Sequence, residues 1–176
     1  MPNNSSLKNL VVSTTRLTMF NVTELSDFAW SESELTSSIL TLLTPNVVKS
    51  LPPNFQNIKT TTAAKNWLDE MVSQSHLFTV CLRDTKTIIG FVFLSEWDNQ
   101  NVHLGYLLGE SFWQQGYASE FLSGFITDCR DNHLVKSLIG GVEAANVPSA
   151  KLLLKLGFEQ SHTTENGVTF YQRQLY

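Results

Sequence analysis

The chain has 176 residues, of which 42% are hydrophobic and 16% charged, with a net charge of −4 and a pI near 5.5. This length is typical of one domain with a substantial core, so we expect a single domain over residues 1–176 with a flexible tail over about residues 1–9. The negative charge, without clustered Lys and Arg, disfavours nucleic acid as a partner. No apolar run approaches the roughly 18 residues of a membrane span, and the first residues lack the pattern of a signal peptide, so no membrane association is expected.

The two cysteines, Cys81 and Cys129, lie within apolar runs. Cysteines in such runs are typically buried and reduced, which favours a cytoplasmic protein without disulfides. The four histidines show no metal-ligand spacing, so we expect no metal site.

The first half of the chain predicts one strand followed by helices. Residues 11–20 form a strand-like run, and residues 23–30 predict a short helix that Thr23 caps. Helical pieces are expected over residues 31–51, where prolines interrupt the apolar periodicity. Residues 60–72 predict a longer helix, because the apolar residues recur at helical spacing on one face.

The middle of the chain predicts three antiparallel strands, over residues 77–82, 87–94 and 101–108. Their short polar connections favour a meander. Gly90 and Gly105 lie within strands, which indicates a bulge or the close approach of another backbone.

A strand, a glycine-bearing turn and a helix follow one another between residues 101 and 129. The turn contains Gly116. The apolar residues of the helix share one face and are Ala118, Phe121, Leu122, Phe125, Ile126 and Cys129. The first turn of such a helix leaves N–H groups unpaired, and its macrodipole adds about half a positive charge. This place therefore suits a phosphate group.

The last third of the chain completes a mixed sheet. Residues 137–142 predict a strand that pairs roughly parallel with residues 101–108, since a helix connects the two. Residues 148–156 predict a helix that ends at a left-handed Gly157. With a final strand over residues 168–175, the predicted fold class is α+β, a mixed and mainly antiparallel sheet with flanking helices and one parallel crossover.

Three short motifs occur in order along the second half of the chain. The loop Gln/Arg-x-x-Gly-x-Gly/Ala is matched at Gly116 and Ala118, with Trp113 at its first position. The strand before it is similar to Ile-Gly-Tyr-Trp-Leu, and the motif Asn-x-x-Ser, later followed by Lys-Leu-Gly-Phe, begins at Asn146. The chain therefore resembles the GCN5-related N-acetyltransferase (GNAT) superfamily, and within it the branch of ribosomal-protein N-terminal acetyltransferases. Near the N-terminus, Thr15-Arg16-Leu17 is similar to the opening of that branch.

The resemblance implies the GNAT fold, with a splayed pair of parallel strands, and acetyl-CoA as co-substrate without a metal. It implies that the pyrophosphate binds backbone amides of the loop residues Gln114, Gln115, Gly116, Tyr117, Ala118 and Ser119. The pantetheine arm is expected along the strand residues Tyr106, Leu107 and Leu108. Asn146 and Ser149 approach the co-substrate from the second motif. Gln114 stands where the branch often has Gly.

The candidate catalytic residues are His103, Glu143 and Ser149. Many relatives protonate the departing thiolate with a Tyr in the second-motif helix, but that position is Leu153 here. The resemblance then implies Ser149 as the donor, and the alternative is that its hydroxyl only caps backbone amides of the helix. His103 stands where the branch often has a Glu base, and an imidazole is a competent base near pH 7. Glu143 is the competing candidate.

The predicted activity is direct transfer of an acetyl group from acetyl-CoA to a primary amine, either a protein N-terminus or a small cationic amine. A non-catalytic acyl-CoA-binding sensor or interaction module stays open as the alternative, because the Tyr and Glu of the relatives are replaced. A mononucleotide-binding protein is disfavoured, since the chain lacks both glycine-rich nucleotide motifs. The sequence leaves open a monomer or a homodimer.

Overall fold

A computed structural model describes residues 5–23, 30–96 and 100–176 of the chain. Within these residues, one sheet contains eight strands, which are β1 (Val11–Ser13), β2 (Leu17–Asn21), β3 (His76–Leu82), β4 (Ile88–Glu96), β5 (Asn101–Leu108), β6 (Ser137–Glu143), β7 (Glu159–Thr163) and β8 (Val168–Gln174). The helices of the described residues are α1 (Ser5–Lys8), α2 (Glu32–Leu42), α3 (Pro45–Val48), α4 (Thr61–Gln74), α5 (Tyr117–Asp131) and α6 (Val147–Lys155). Two 3₁₀ helices cover Pro53–Phe55 and Glu110–Phe112.

Polar side chains start most of the longer helices. Ser31 accepts a hydrogen bond from the N–H of Glu34 at the start of α2, and Thr60 accepts one from Ala63 at the start of α4. Each such cap satisfies an amide that the first helical turn leaves without a partner. Helix α5 differs, because its first flanking residue is Gly116, which has no side chain to offer.

The strands lie in the order β1-β2-β3-β4-β5-β6-β8-β7. Every neighbouring pair is antiparallel except β5 and β6, which α5 connects. The two parallel strands pair only over Asn101–His103 and Ser137–Ile139. This arrangement confirms the predicted mixed, mainly antiparallel sheet with a parallel pair that splays apart.

Helices cover the sheet on both faces. Phe121 and Phe125 of α5 and Leu153 of α6 lie in one buried cluster, together with Leu104 of β5. Ile39 of α2 and Trp67 of α4 lie in a second cluster, together with Phe91 of β4 and Leu107 of β5. Since side chains alternate along a strand, β5 contributes to both clusters and lies at the centre of the fold.

Of the glycines within the strands, Gly90 lies at a bulge and against another backbone, as predicted, whereas Gly105 lies in regular pairing against a side chain. The pairing of β3 with β4 shifts register beside Gly90, which marks a bulge. A Cβ on Gly90 would lie 2.2 Å from the carbonyl oxygen of Leu107, and one on Gly105 would lie 1.8 Å from the ring of Phe93. No other residue type fits at these positions without displacing a neighbour.

Three local predictions differ from the structure. The strand predicted over residues 11–20 is a hairpin of β1 and β2, closed by a hydrogen bond of 2.9 Å from Thr14 N–H to the carbonyl of Leu17. Strand β7 was not predicted, because all five of its residues are exposed and it carries no apolar alternation. The prediction of a tail did not anticipate α1, where Leu7 is buried in the core.

The short helix predicted over residues 23–30 falls mostly on residues 24–29, which lie outside the described part of the chain. Residues 97–99, in the polar connection predicted before the strand over residues 101–108, likewise lie outside it. In the part that is described, none of the helices combines the length and the apolar character needed to cross a bilayer.

Candidate active site

The splay between β5 and β6 opens immediately after His103. Beyond that point, the described residues of β5 pair with β4 on one side, from Leu104 opposite Leu94 to Leu108 opposite Gly90. Strand β6 meanwhile pairs with β8. The edge of β5 that faces β6 is therefore open to an extended group that carries amides, such as a pantetheine arm.

The loop after β5 is fixed by two hydrogen bonds of its own residues. The indole N–H of Trp113 donates a hydrogen bond of 2.9 Å to the carbonyl of Leu108, which ties the loop to the end of β5. The side-chain amide of Gln115 donates one of 2.8 Å to the carbonyl of Ser111. Gln114 has a φ of 59°, in the left-handed region that favours glycine. The loop is thus closed on itself before the helix begins.

Helix α5 follows Gly116, whose φ of 79° is also left-handed. Because a glycine cannot cap the helix, the N–H groups of Tyr117, Ala118 and Ser119 have neither intrahelical partners nor a side-chain cap from that position. The macrodipole places partial positive charge at the same point. These features together suit a phosphate group.

Arg16 and Glu120 hold this helix start against the turn between β1 and β2. The Arg16 Nε atom lies 2.6 Å from Oε2 of Glu120, and the Arg16 backbone N–H donates to Oε1 at 2.8 Å. A further guanidinium nitrogen donates to the carbonyl of Gln115 at 3.0 Å, and the guanidinium lies 4.3 Å above the ring of Tyr117. Thr14 donates to the same carboxylate at 2.6 Å.

These contacts determine the ionisation of Glu120. Burial by itself raises the pKa of the carboxyl, but hydrogen bonds from Thr14 and Arg16 and the charge of Arg16 outweigh it and lower the pKa below its usual range. Arg16 lies within the motif Thr15-Arg16-Leu17, for which no role in the site was predicted. The feature of the sequence from which this role of Arg16 could have been predicted is its charge within an otherwise apolar strand-like run.

The second motif forms the start of α6, beside the end of β6. Asn146 accepts a hydrogen bond of 3.3 Å from the N–H of Ser149 and so caps the helix. The hydroxyl of Ser149 accepts one of 3.1 Å from the hydroxyl of Tyr106, which lies on β5. The Tyr106 ring packs edge-to-face against Phe121, with 6.0 Å between the centroids. Burial raises the pKa of Tyr106, so the phenol stays protonated near neutral pH.

Leu153 belongs to the core. It is 1% exposed, and a Cβ on Gly140 would lie 2.9 Å from its side chain. The position that carries a Tyr in many relatives therefore offers no proton donor in this chain.

His103 and Glu143 lie on the other face of the sheet. His103 is half-buried, with its ring edge-on to Phe170 at a centroid distance of 6.0 Å. Burial lowers the pKa of His103, so the imidazole is neutral at pH 7. Glu143 is exposed at the end of β6, and strand alternation puts it on the face of Gly141, against which Phe170 also packs.

The candidate side chains thus flank the splay from two faces. Tyr106 and Ser149 lie on the face that α5 and α6 cover, whereas His103 and Glu143 lie on the opposite face. A group held between the strands would have a possible base on one side and a hydroxyl donor on the other.

The two cysteines lie apart from these groups. Both are buried and free, as predicted. Burial raises the pKa of the Cys81 thiol to about 11 and raises that of Cys129 as well, which keeps both thiols protonated. Within residues 5–23, 30–96 and 100–176, no three His, Cys, Asp or Glu side chains come together as metal ligands.

Comparison with known proteins identifies the family. Residues 25–159, well over half of the chain, match the family model of the acetyltransferase (GNAT) domain. The chain belongs to the GNAT family. The resemblance to the GNAT superfamily that the motifs indicated is therefore confirmed.

One relative in sequence is an uncharacterized N-acetyltransferase, p20, from Bacillus licheniformis. It is 30% identical to this GNAT chain over 89 residues, which are 49% of the chain and 50% of that relative. The chain thus spans about half the length of this relative.

Solved structures match nearly the whole of this GNAT chain. An acetyltransferase of the GNAT family from Bacillus anthracis has a TM-score of 0.74 at 15% identity, over 94% of this chain and 99% of the other. RimL, a ribosomal L7/L12 alpha-N-protein acetyltransferase in complex with coenzyme A, has a TM-score of 0.75 at 14% identity, over 94% and 98%. At such identities the likeness establishes the fold.

Proposed function

We propose that this GNAT protein is an acetyl-CoA-dependent N-acetyltransferase that moves an acetyl group directly onto a primary amine. The observation that carries the proposal is that two features occur together. One is the open edge of β5, and the other is the start of α5 after Gly116, which lacks a side-chain cap. An extended amide-bearing arm and a pyrophosphate fit these two features, and coenzyme A contains both. In this proposal residues 1–176 form one acyltransferase domain.

The donor half of the site consists mainly of backbone groups. The amides of Gln114 to Ser119 bind the pyrophosphate, with Arg16 adding positive charge beside them. The main chain of Tyr106, Leu107 and Leu108 pairs with the pantetheine amides. Asn146 and Ser149 then border the end of the arm that carries the sulfur.

The chemistry requires a neutral amine, because an ammonium group has no lone pair to attack with. His103 accepts the proton of the amine, directly or through water, since its lowered pKa leaves the imidazole neutral at pH 7. Glu143, on the same face, is the competing base. Attack forms a C–N bond, and the C–S bond of the thioester breaks.

The departing sulfur leaves as a thiolate. Ser149 donates a hydrogen bond to it, and the proton released by the amine finally restores the thiol. In this scheme Asn146 caps α6, so the hydroxyl of Ser149 is not needed for capping.

The acceptor that we propose is a peptide N-terminus or another small cationic amine. Support comes from RimL, an alpha-N-protein acetyltransferase with a similar fold. Carboxylates of α2 and α4 add negative charge on the face of His103, although Lys65 pairs with Glu32 at 2.6 Å and with Asp69 at 3.7 Å. A cationic acceptor is compatible with this surface.

Two measurements test the proposal in sequence. Millimolar acetyl-CoA should raise the melting temperature by several degrees, because a ligand that binds only the folded state stabilises it. Thiol release from acetyl-CoA, screened across peptides, amino acids, polyamines and aminoglycosides, should then identify an acceptor. Absence of any thermal shift contradicts the proposal.

The burial of Leu153 favours a second candidate, a non-catalytic acyl-CoA-binding protein. It predicts stabilisation by acetyl-CoA without thiol release across the whole amine panel. Turnover with any amine that exceeds the rate of hydrolysis removes this candidate.

A further inference from the structure

Tyr106 and Ser149 connect the two sides of the splay on the face that α5 and α6 cover. Tyr106 lies on β5, three residues beyond the last parallel pair, and Ser149 lies in the first turn of α6 after β6. The Tyr106 hydroxyl donates a hydrogen bond of 3.1 Å to Oγ of Ser149. Packing of the ring against Phe121 holds the phenol in this direction.

This hydrogen bond determines which way the serine hydroxyl can act. A serine hydroxyl has one hydrogen to donate and two lone pairs to accept with. One lone pair of Ser149 is occupied by Tyr106, and the backbone N–H of Ser149 is satisfied by Asn146. The hydrogen of Ser149 is therefore directed away from Tyr106.

We propose that Tyr106 is a positioning residue that orients the Ser149 hydroxyl as a hydrogen-bond donor to the sulfur of coenzyme A. The inference rests on the proposed function above and concerns the same site. No proton leaves Tyr106, since the phenol remains a donor throughout. The thiolate is stabilised by the Ser149 hydrogen bond and takes its proton from the amine.

The arrangement compensates for the loss of a donor elsewhere. Leu153, at the position of the usual Tyr, is buried against Gly140. Tyr106 reaches the same region from the strand side, and it acts through Ser149. A hydrogen bond from a polarised hydroxyl to a charged acceptor is stronger than one between neutral groups.

The direct test measures the pKa of the thiol of bound coenzyme A from its thiolate absorbance, with desulfo-coenzyme A as the blank. In the unmodified protein the pKa of the bound thiol should lie about one unit below that of free coenzyme A, a tenfold gain in thiolate. Tyr106→Phe keeps the ring and its contact with Phe121 but removes the donor, so it should return the pKa most of the way to the free value. Ser149→Ala should do the same.

The double variant decides whether the two hydroxyls act as one unit. If Tyr106 acts through Ser149, Tyr106→Phe combined with Ser149→Ala should shift the thiol no further than Ser149→Ala alone. Turnover should fall about tenfold in each single variant with KM for acetyl-CoA unchanged. Tyr171→Phe, on β8, serves as the matched control and should match the unmodified protein.

Several outcomes overturn the inference. The first is a pKa of the bound thiol that equals that of free coenzyme A in the unmodified protein. The second is a Tyr106→Phe variant that keeps the full pKa shift. The third is a loss of turnover in the double variant that equals the product of the two single losses. If Tyr106→Phe fails to fold, the comparison of Ser149→Ala with the unmodified protein still tests the thiolate contact. Failure of coenzyme A to bind at all would instead refute the proposed function.

Discussion

The guanidinium of Arg16 contacts the carboxylate of Glu120 across 104 residues of chain, with 2.6 Å between Nε and Oε2. One residue belongs to the turn between β1 and β2, and the other to the first turn of α5. The same guanidinium also binds the carbonyl of Gln115 and covers the ring of Tyr117. The N-terminal hairpin therefore supports the loop that we propose for the pyrophosphate.

Glu120→Gln should destabilise the fold in a pH-dependent way. The pKa of Glu120 is lowered in the folded protein, so its charge stabilises the fold above the unfolded pKa of about 4.3. This contribution is lost as pH falls through the folded pKa. We expect a loss of about 1 kcal/mol at pH 7, because Arg16 is 43% exposed and solvent weakens the pair, and almost none at pH 2.

Urea unfolding at both pH values measures this difference. Glu159→Gln, on the exposed strand β7, removes an equal charge and is the control. An equal loss at pH 7 and at pH 2 would show that the charge of Glu120 does not contribute.

Gly116→Ala should weaken coenzyme A binding as well as folding. The φ of 79° costs a non-glycine residue about 1 kcal/mol. The added Cβ would also lie 3.4 Å from the guanidinium of Arg16, beside the loop that we propose for the pyrophosphate. Gly167→Ala has the same φ of 79° with nothing within 4 Å of its Cβ, so it should lose similar stability with full coenzyme A affinity.

Calorimetric titration with coenzyme A separates these two effects. Gly116→Glu adds bulk and negative charge and should abolish binding altogether. Retained binding in Gly116→Glu would mean that the pyrophosphate binds elsewhere.

Gln114→Gly should be more stable than Gln114→Ala by about 1 kcal/mol. Both changes remove the side-chain amide, but only glycine adopts a φ of 59° without strain. Thermal unfolding of the two variants compares them directly. Greater stability of the alanine variant would show that the left-handed conformation of residue 114 is absent in solution.

His103→Ala should lower kcat by about 100-fold while leaving the affinity for coenzyme A unchanged, because the imidazole acts on the amine rather than on the donor. Burial lowers the pKa of His103 below its usual value near 6.5. Activity should therefore persist at pH 6.5 and fall only at more acidic pH, where the imidazole becomes protonated. The pH profile of kcat/KM, with an accepted amine, measures this limb.

His162→Ala is the matched control, since His162 is exposed and stacks on the opposite side of Phe170. The His162→Ala variant should keep the turnover of the unmodified protein and the same fall of kcat/KM at acidic pH. Unchanged turnover in His103→Ala would remove His103 from the mechanism and leave Glu143 as the candidate base.

The ends of β5 and the buried face of α5 show which structural features the sequence pattern can predict. The strand predicted over residues 101–108 matches β5 at both ends, and the apolar face predicted for α5 is buried. Both follow from periodicity within a short stretch of chain. Strand β7 has no such pattern, because both of its faces are exposed, and so only its pairing with β8 defines it.

The sequence alone was enough to predict the strands over residues 77–108, helix α5 and the glycine loop before it, because each depends on residues close together in the chain. The point where β5 and β6 part, the support of the loop by Arg16 and the contact of Tyr106 with Ser149 could be seen only in the folded protein. The partners in these contacts are 104 and 43 residues apart. Their meeting depends on the register of the sheet and the packing of α5 and α6, which no local periodicity encodes.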